Sequence, residues 1–128
     1  MIEHPRRLIA CLLTFVLILA FASSALAAPS LSWQTDSVYF DPRGCIVIEG
    51  YFYNNGTRTV TGVNRHDVQV YLRQTNANWW LHAAGSFYDL NLYLVPGDSL
   101  HWTFRIYNVD YAYFDYWNVK WNVNYNYQ

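Results

Sequence analysis

"GYFYNNGTRTVTG", residues 50–62, decides how the chain folds. Asn55-Gly56 is the strongest short-range signal for a two-residue hairpin turn. Such a turn would pair Phe52 with Thr59 and Tyr51 with Val60, so that Thr59 and Thr61 face a core while Val60 faces water. Register avoids that outcome where one face is buried. The stretch therefore reads as a bend opening a longer corner loop, with Gly56 expected at positive φ. Asn55-Gly56-Thr57 also spells an N-glycosylation acceptor. That use needs a eukaryotic secretory pathway, and nothing else in the chain calls for one.

Outward from this corner, period-two alternation recurs and helical periodicity does not. Ser32 to Phe40 reads as a first strand, closed by the turn Asp41-Pro42-Arg43-Gly44. Cys45 to Asn54 follows, with Ile46, Ile48 and Phe52 on one face and Glu49, Tyr51 and Tyr53 on the other. Asp67 to Arg73 places Val68, Val70 and Leu72 inward. Trp79 to Phe87 and Leu90 to Val95 are two shorter candidates. Pro96-Gly97-Asp98 turns the chain into Leu100 to Tyr107, where Trp102, Phe104 and Ile106 share a face. In Val119 to Gln128, Val119, Trp121, Val123 and Tyr125 alternate with Lys120, Asn122, Asn124 and Asn126. Seven short strands at about ten-residue spacing predict one all-β antiparallel sandwich. Its inner layer should include Ile48, Phe52, Val70, Trp102, Phe104, Val119 and Trp121.

The first 27 residues read as a secretory signal peptide. Arg6 and Arg7 precede the apolar run Leu8 to Phe21, and Ala25-Leu26-Ala27 offers small residues at cleavage spacing. An uncleaved anchor over Leu8 to Ala28 is the rival reading, weakened by Ser23 and Ser24. Cys11 imitates a lipoprotein cysteine, but the apolar core follows it instead of preceding it, so lipidation is rejected. A single domain, residues 28–128, remains. Removing Arg6, Arg7 and Glu3 from the 8 basic and 9 acidic residues leaves six against eight, about −2. That balance argues against nucleic acid as a partner, and the membrane is met only through the leader. Cys45 is then the single cysteine, expected as a core residue, and no disulfide framework is available. Aromatic residues must supply the core: all 6 Trp and 12 Tyr, with 5 of the 7 Phe, lie beyond residue 27.

The order Trp33…Asp36-Ser37-Val38-Tyr39, "IVIEGYFYNNGT", "VQVYL" and "PGDSLHWTFRI" resembles the SLAP-type modules associated with S-layer and cell-envelope proteins of Gram-positive bacteria. It is similar in outline to the wider set of bacterial immunoglobulin-like extracellular modules. The resemblance covers residues 33–107 and leaves the tail from Asp110 to Gln128 unmatched. It implies an immunoglobulin-like sandwich in a secreted, non-catalytic envelope module, with a cell-wall or surface-layer protein or polysaccharide as partner.

No residue pattern points to catalysis or to a cofactor. Gly85-Ser86-Phe87 lacks the glycines of a nucleophile elbow. His66, His82 and His101 share no metal-ligand spacing, and read as solvated or hydrogen-bonded side chains. Asp110 and Asp115 resemble a glycosidase carboxylate pair, yet so small a sandwich offers little room for a cleft. The aromatic excess is more informative. Trp79 and Trp80 are adjacent, so a strand must turn them to opposite faces. Tyr51 and Tyr53 share a polar face, and Tyr111, Tyr113, Tyr116 and Trp117 crowd beside Phe114. These eight are the candidate binding surface. The expected function is binding or assembly with other surface components through exposed aromatics or sheet edges. The alternative is a lectin-like module that stacks sugar rings on surface Trp and Tyr.

Overall fold

The computed structural model describes residues 28–128; the expected leader, Cys11 included, lies outside the described residues. Six strands follow in order: β1 Leu31–Asp41, β2 Cys45–Asn54, β3 Val60–Arg73, β4 Trp80–Leu90, β5 Ser99–Tyr107 and β6 Tyr116–Tyr127. They form two three-stranded antiparallel sheets, sheet A with order β1-β2-β5 and sheet B with order β4-β3-β6. β1 lies over β6 and β5 over β4, and one apolar cluster drawn from both sheets fills the space between.

The expected all-β class holds, with six strands in place of seven. Leu90 to Val95 is not a strand. Its alternation is real, since Leu92 and Leu94 are buried while Tyr93 and Val95 are exposed. But this segment carries the chain from sheet B back to sheet A, so it can join neither ladder. It makes one bridge, in which Val60 and Leu94 exchange both backbone hydrogen bonds at 2.9 Å. β3 begins at Val60, seven residues earlier than its alternation indicates. Register irregularities at Val60/Gly62 and Val63/Arg65 break the period-two pattern there. The inward residues consequently run Val60, Val63, His66, Val68, and a strict alternation misses them.

Residues 55–59 form the expected corner, linking the central strand of sheet A to the central strand of sheet B. The corner is held by Asn54, only 1% exposed. Its Nδ2 donates to the carbonyls of Arg58 and Leu94, both at 2.8 Å, and its Oδ1 accepts from the Gly56 N–H at 3.0 Å. Its backbone pairs with Asp98 and Gly97. One side chain thus ties the corner to the two crossing segments, with its hydrogen-bonding capacity spent and no buried group orphaned. Gly56 does not take the positive φ expected of it; among the described glycines Gly44 and Gly97 do, at 82° and 85°. Gly56 is needed for space instead. A Cβ there would sit 2.5 Å from the Ser30 nitrogen and 2.7 Å from the Ala28 oxygen, because the N-terminal segment crosses the corner.

Of the seven residues expected inside, Ile48, Phe52, Val70 and Phe104 are buried, and Trp102 and Val119 are partly so. Trp121 is the exception at 40% exposed. Its parity is right, but β6 is the edge strand of sheet B among the described residues. Cys45 is buried, as expected of a core residue, and has no disulfide partner among the described residues.

Candidate functional site

The eight candidate aromatics do not form one surface. Tyr51 and Tyr53 lie half-buried on the outer face of sheet A, 6.1 Å apart, with Tyr51 edge-on to His101. Trp79 and Tyr116 meet at one end of the outer face of sheet B, where the Arg73 guanidinium lies 5.3 Å from the first ring and 4.5 Å from the second. Tyr111 stands on the loop between β5 and β6, 76% exposed, against Phe40. Tyr113 on the same loop donates to Asp115 at 2.7 Å. Trp80 and Trp117 pack against the core. The Trp79–Trp80 pair splits as strand geometry requires, one ring to solvent and the other inward, where the Trp80 Nε1 donates to His82 Nδ1 at 3.1 Å.

The histidines divide three ways. His82 is hydrogen-bonded, to Trp80 and to the Asp110 carbonyl at 2.7 Å. His101 is exposed. His66 corrects the expectation of a solvated or hydrogen-bonded side chain: it is fully buried, and neither ring nitrogen has a partner. Trp33, Phe52 and Phe104 of sheet A enclose it at centroid distances of 5.4, 5.2 and 5.0 Å. Burial disfavours the imidazolium there and lowers its pKa from 6.5 to about 4, against a small opposing pull from Asp67. Among the described residues no cluster of His, Cys, Asp and Glu is placed to hold a metal. Asp115, half of the carboxylate pair considered above, is occupied by hydrogen bonds from Thr75 and Tyr113.

Two features escape the sequence. The first is the outer face of sheet B, where a groove of about 580 Å³ runs between β4 and β6 across β3. Arg65, Asp67 and Gln69 line it from β3, Ser86 from β4, and Lys120 and Asn122 from β6. Asp67 accepts from Ser86 Oγ at 2.5 Å and from Arg65 Nε at 2.8 Å. Those two contacts, the hydroxyl first, hold its carboxyl below the ordinary range. Asp67, Gln69, Lys120 and Asn122 were legible as outward-facing; Arg65, Ser86 and the register that gathers all six were not.

The second is the free edge of β6. Among the described residues this strand pairs with β3 alone, over its whole length. Its inward side chains, Trp117, Val119, Trp121, Val123 and Tyr125, are at best half-buried. Edge strands are normally blunted by charge, proline or brevity. β6 has twelve residues, one lysine and no proline.

No family model matches this chain, and no curated protein does. Among solved structures it is similar to the Salmonella enterica trimeric lipoprotein SadB, with 14% identity, 98% of this chain and 80% of that one covered, and a TM-score of 0.46. It is also similar to part of a beta-glucosidase from Listeria innocua, with 17% identity, 62% of this chain and 11% of that one covered, and a TM-score of 0.33. For beta-glucosidase 3B from Thermotoga neapolitana the values are 20%, 61%, 10% and 0.32. The chain therefore spans about a tenth of either glucosidase. The functional reading rests on the chain's own two surfaces.

Proposed function

We propose that this chain is a secreted, non-catalytic, immunoglobulin-like module of the cell envelope, similar to the S-layer-associated modules it resembles, and that it assembles with another surface component along the open edge of β6. The carrying observation is that β6 has the sequence of an interior strand and the position of an edge. Its alternation is the cleanest in the chain, yet Trp121 remains 40% exposed where an interior strand would cover it. A strand laid beside β6 would bury that ring and pair the free backbone groups, the mode by which exposed edges capture extended segments. The strand order supports the immunoglobulin-like part of the reading. Sheet A corresponds to strands A, B and E of such a sandwich and sheet B to C′, C and F. The leader pattern of residues 1–27 supports secretion.

The test is retention of the purified chain on isolated cell envelopes in about 0.5 M salt, where the Debye length falls to roughly 4 Å and loose charge attraction is removed. Asn118→Lys combined with Asn124→Lys puts the natural edge-blocking residue at two exposed positions of β6, neither of which lines the groove on the sheet face. The unmodified chain should be retained and the double variant released, with equal melting temperatures. Equal retention of both would refute the edge as the contact.

A further inference from the structure

On the outer face of sheet B every cation lies over an aromatic ring. The Arg65 guanidinium is 5.5 Å from the Tyr88 centroid, the Lys120 ammonium is 4.9 Å from Tyr71, and Arg73 lies between Trp79 and Tyr116. Arg65 and Arg73 stand on one strand eight residues apart, roughly 27 Å at strand rise. Lys120 pairs in register with Gln69, midway between them. The three cations thus form a line along the axis of β3.

This line is neutralised only in part. The ion pairs among the described residues are Arg43–Asp41 and Arg65–Asp67. Asp67 is the one carboxylate lining the groove, and Arg65 and Ser86 already hold it. Asp115, close enough to Arg73 for the two charges to interact, is bound by Thr75 and Tyr113. Lys120 and Arg73 stand outside these ion pairs, Arg73 with its charge partly offset by Asp115, on a chain whose formal charge is −1. Between the cations the groove is bordered on β4 by the small outward side chains of Ala84 and Ser86.

We propose that this face binds an acidic polysaccharide laid along β3, with one sugar unit seated in the groove. The chemistry fits each part of such a chain. Sugar faces carry carbon-bound hydrogens that pack on the electron-rich faces of Tyr88, Tyr71 and Trp79. The amides of Gln69 and Asn122 can both donate to and accept from hydroxyls. Lys120 and Arg73 meet the carboxylates. Single-stranded nucleic acid also uses rings and cations, but two such cations release few counterions, and a secretory leader takes the chain away from it. The site lies on the face of the sheet, not on the β6 edge. It extends the envelope reading above, on which it rests for its setting, without requiring strand pairing.

The experiment is affinity electrophoresis of the purified chain through polygalacturonate, neutral dextran or oligothymidylate, at low salt. Polygalacturonate should retard the unmodified chain and dextran should not. Lys120→Gln and Tyr88→Ala, both exposed positions, should each weaken that retardation about fivefold, the size of one exposed charge or ring contact. Glu49→Gln on sheet A should leave it unchanged. Equal mobility in polygalacturonate and dextran, retardation by oligothymidylate alone, or full retardation of both face variants would overturn the proposal. High-salt envelope retention reads the β6 edge separately, so either idea can fail while the other stands.

Discussion

Replacing His66 by Phe should stabilise the fold and remove most of its sensitivity to mild acid. In the native chain an imidazole with two unpartnered nitrogens sits among Trp33, Phe52 and Phe104 with no solvent contact. Leaving one buried polar group unsatisfied costs on the order of 1–3 kcal/mol. Phe keeps the ring and discards both nitrogens, at some cost for its slightly larger volume, so a net gain of about 1 kcal/mol is expected at pH 7. The pH dependence follows from the lowered pKa. The folded state holds His66 neutral until about pH 4, whereas the unfolded chain takes up a proton near 6.5. Unfolded chains therefore bind more protons between these values, and stability present above pH 6.5 is lost as the pH falls toward 4. A difference of this size corresponds to about 3 kcal/mol in full, of which about 2 kcal/mol is gone by pH 5. Urea denaturation at pH 7.5, 6 and 5, with the slope fixed, measures it for both chains. The carboxyls of Asp41, Asp67 and Asp115 are lowered by hydrogen bonds, so their protonation weakens the fold only at more acid pH. Parallel loss of stability in the native chain and His66→Phe between pH 7.5 and 5 would refute a neutral, enclosed imidazole.

Two further predictions concern the corner. Asn54→Ala removes three side-chain hydrogen bonds and strips the Arg58 carbonyl and the Gly56 N–H of the partner that Asn54 supplies, while the Leu94 carbonyl keeps its bond from Val60. A loss of about 3 kcal/mol is expected, read as the shift of the urea midpoint; Asn54→Asp should be no better, since a carboxylate cannot donate to two carbonyls. Gly56→Val should destabilise by forcing the 28–30 segment off the corner, so deleting residues 28–30 in the same chain should recover part of the loss. If Gly56→Val is as stable as the parent chain, the close approach is not a constraint.

The sequence by itself determined what is local. Side-chain parity within a strand depends only on the pleat, so the inward faces of β2, β5 and the second half of β3 could be assigned residue by residue. The turns at Asp41–Gly44 and Pro96–Asp98 followed from proline and glycine geometry, and the conflict between Val60 and a tight hairpin was enough to call a corner. What the sequence could not determine is long-range. Alternation does not say which strands are neighbours, and so it could not say that β6 stands at an edge with Trp121 half uncovered. Nor could it set the register that aligns Lys120 between Arg65 and Arg73, or place His66 among three rings of the opposite sheet. Irregular pairing hid the first half of β3, and a crossing between sheets left Leu92 and Leu94 looking like a strand without a ladder. Register and layer assignment are fixed only when both sheets close on a common core, because a pairing becomes favourable only when it buries the apolar face of each strand at once. The candidate aromatics could therefore be named from the sequence, but tertiary structure alone decided which of them share a surface.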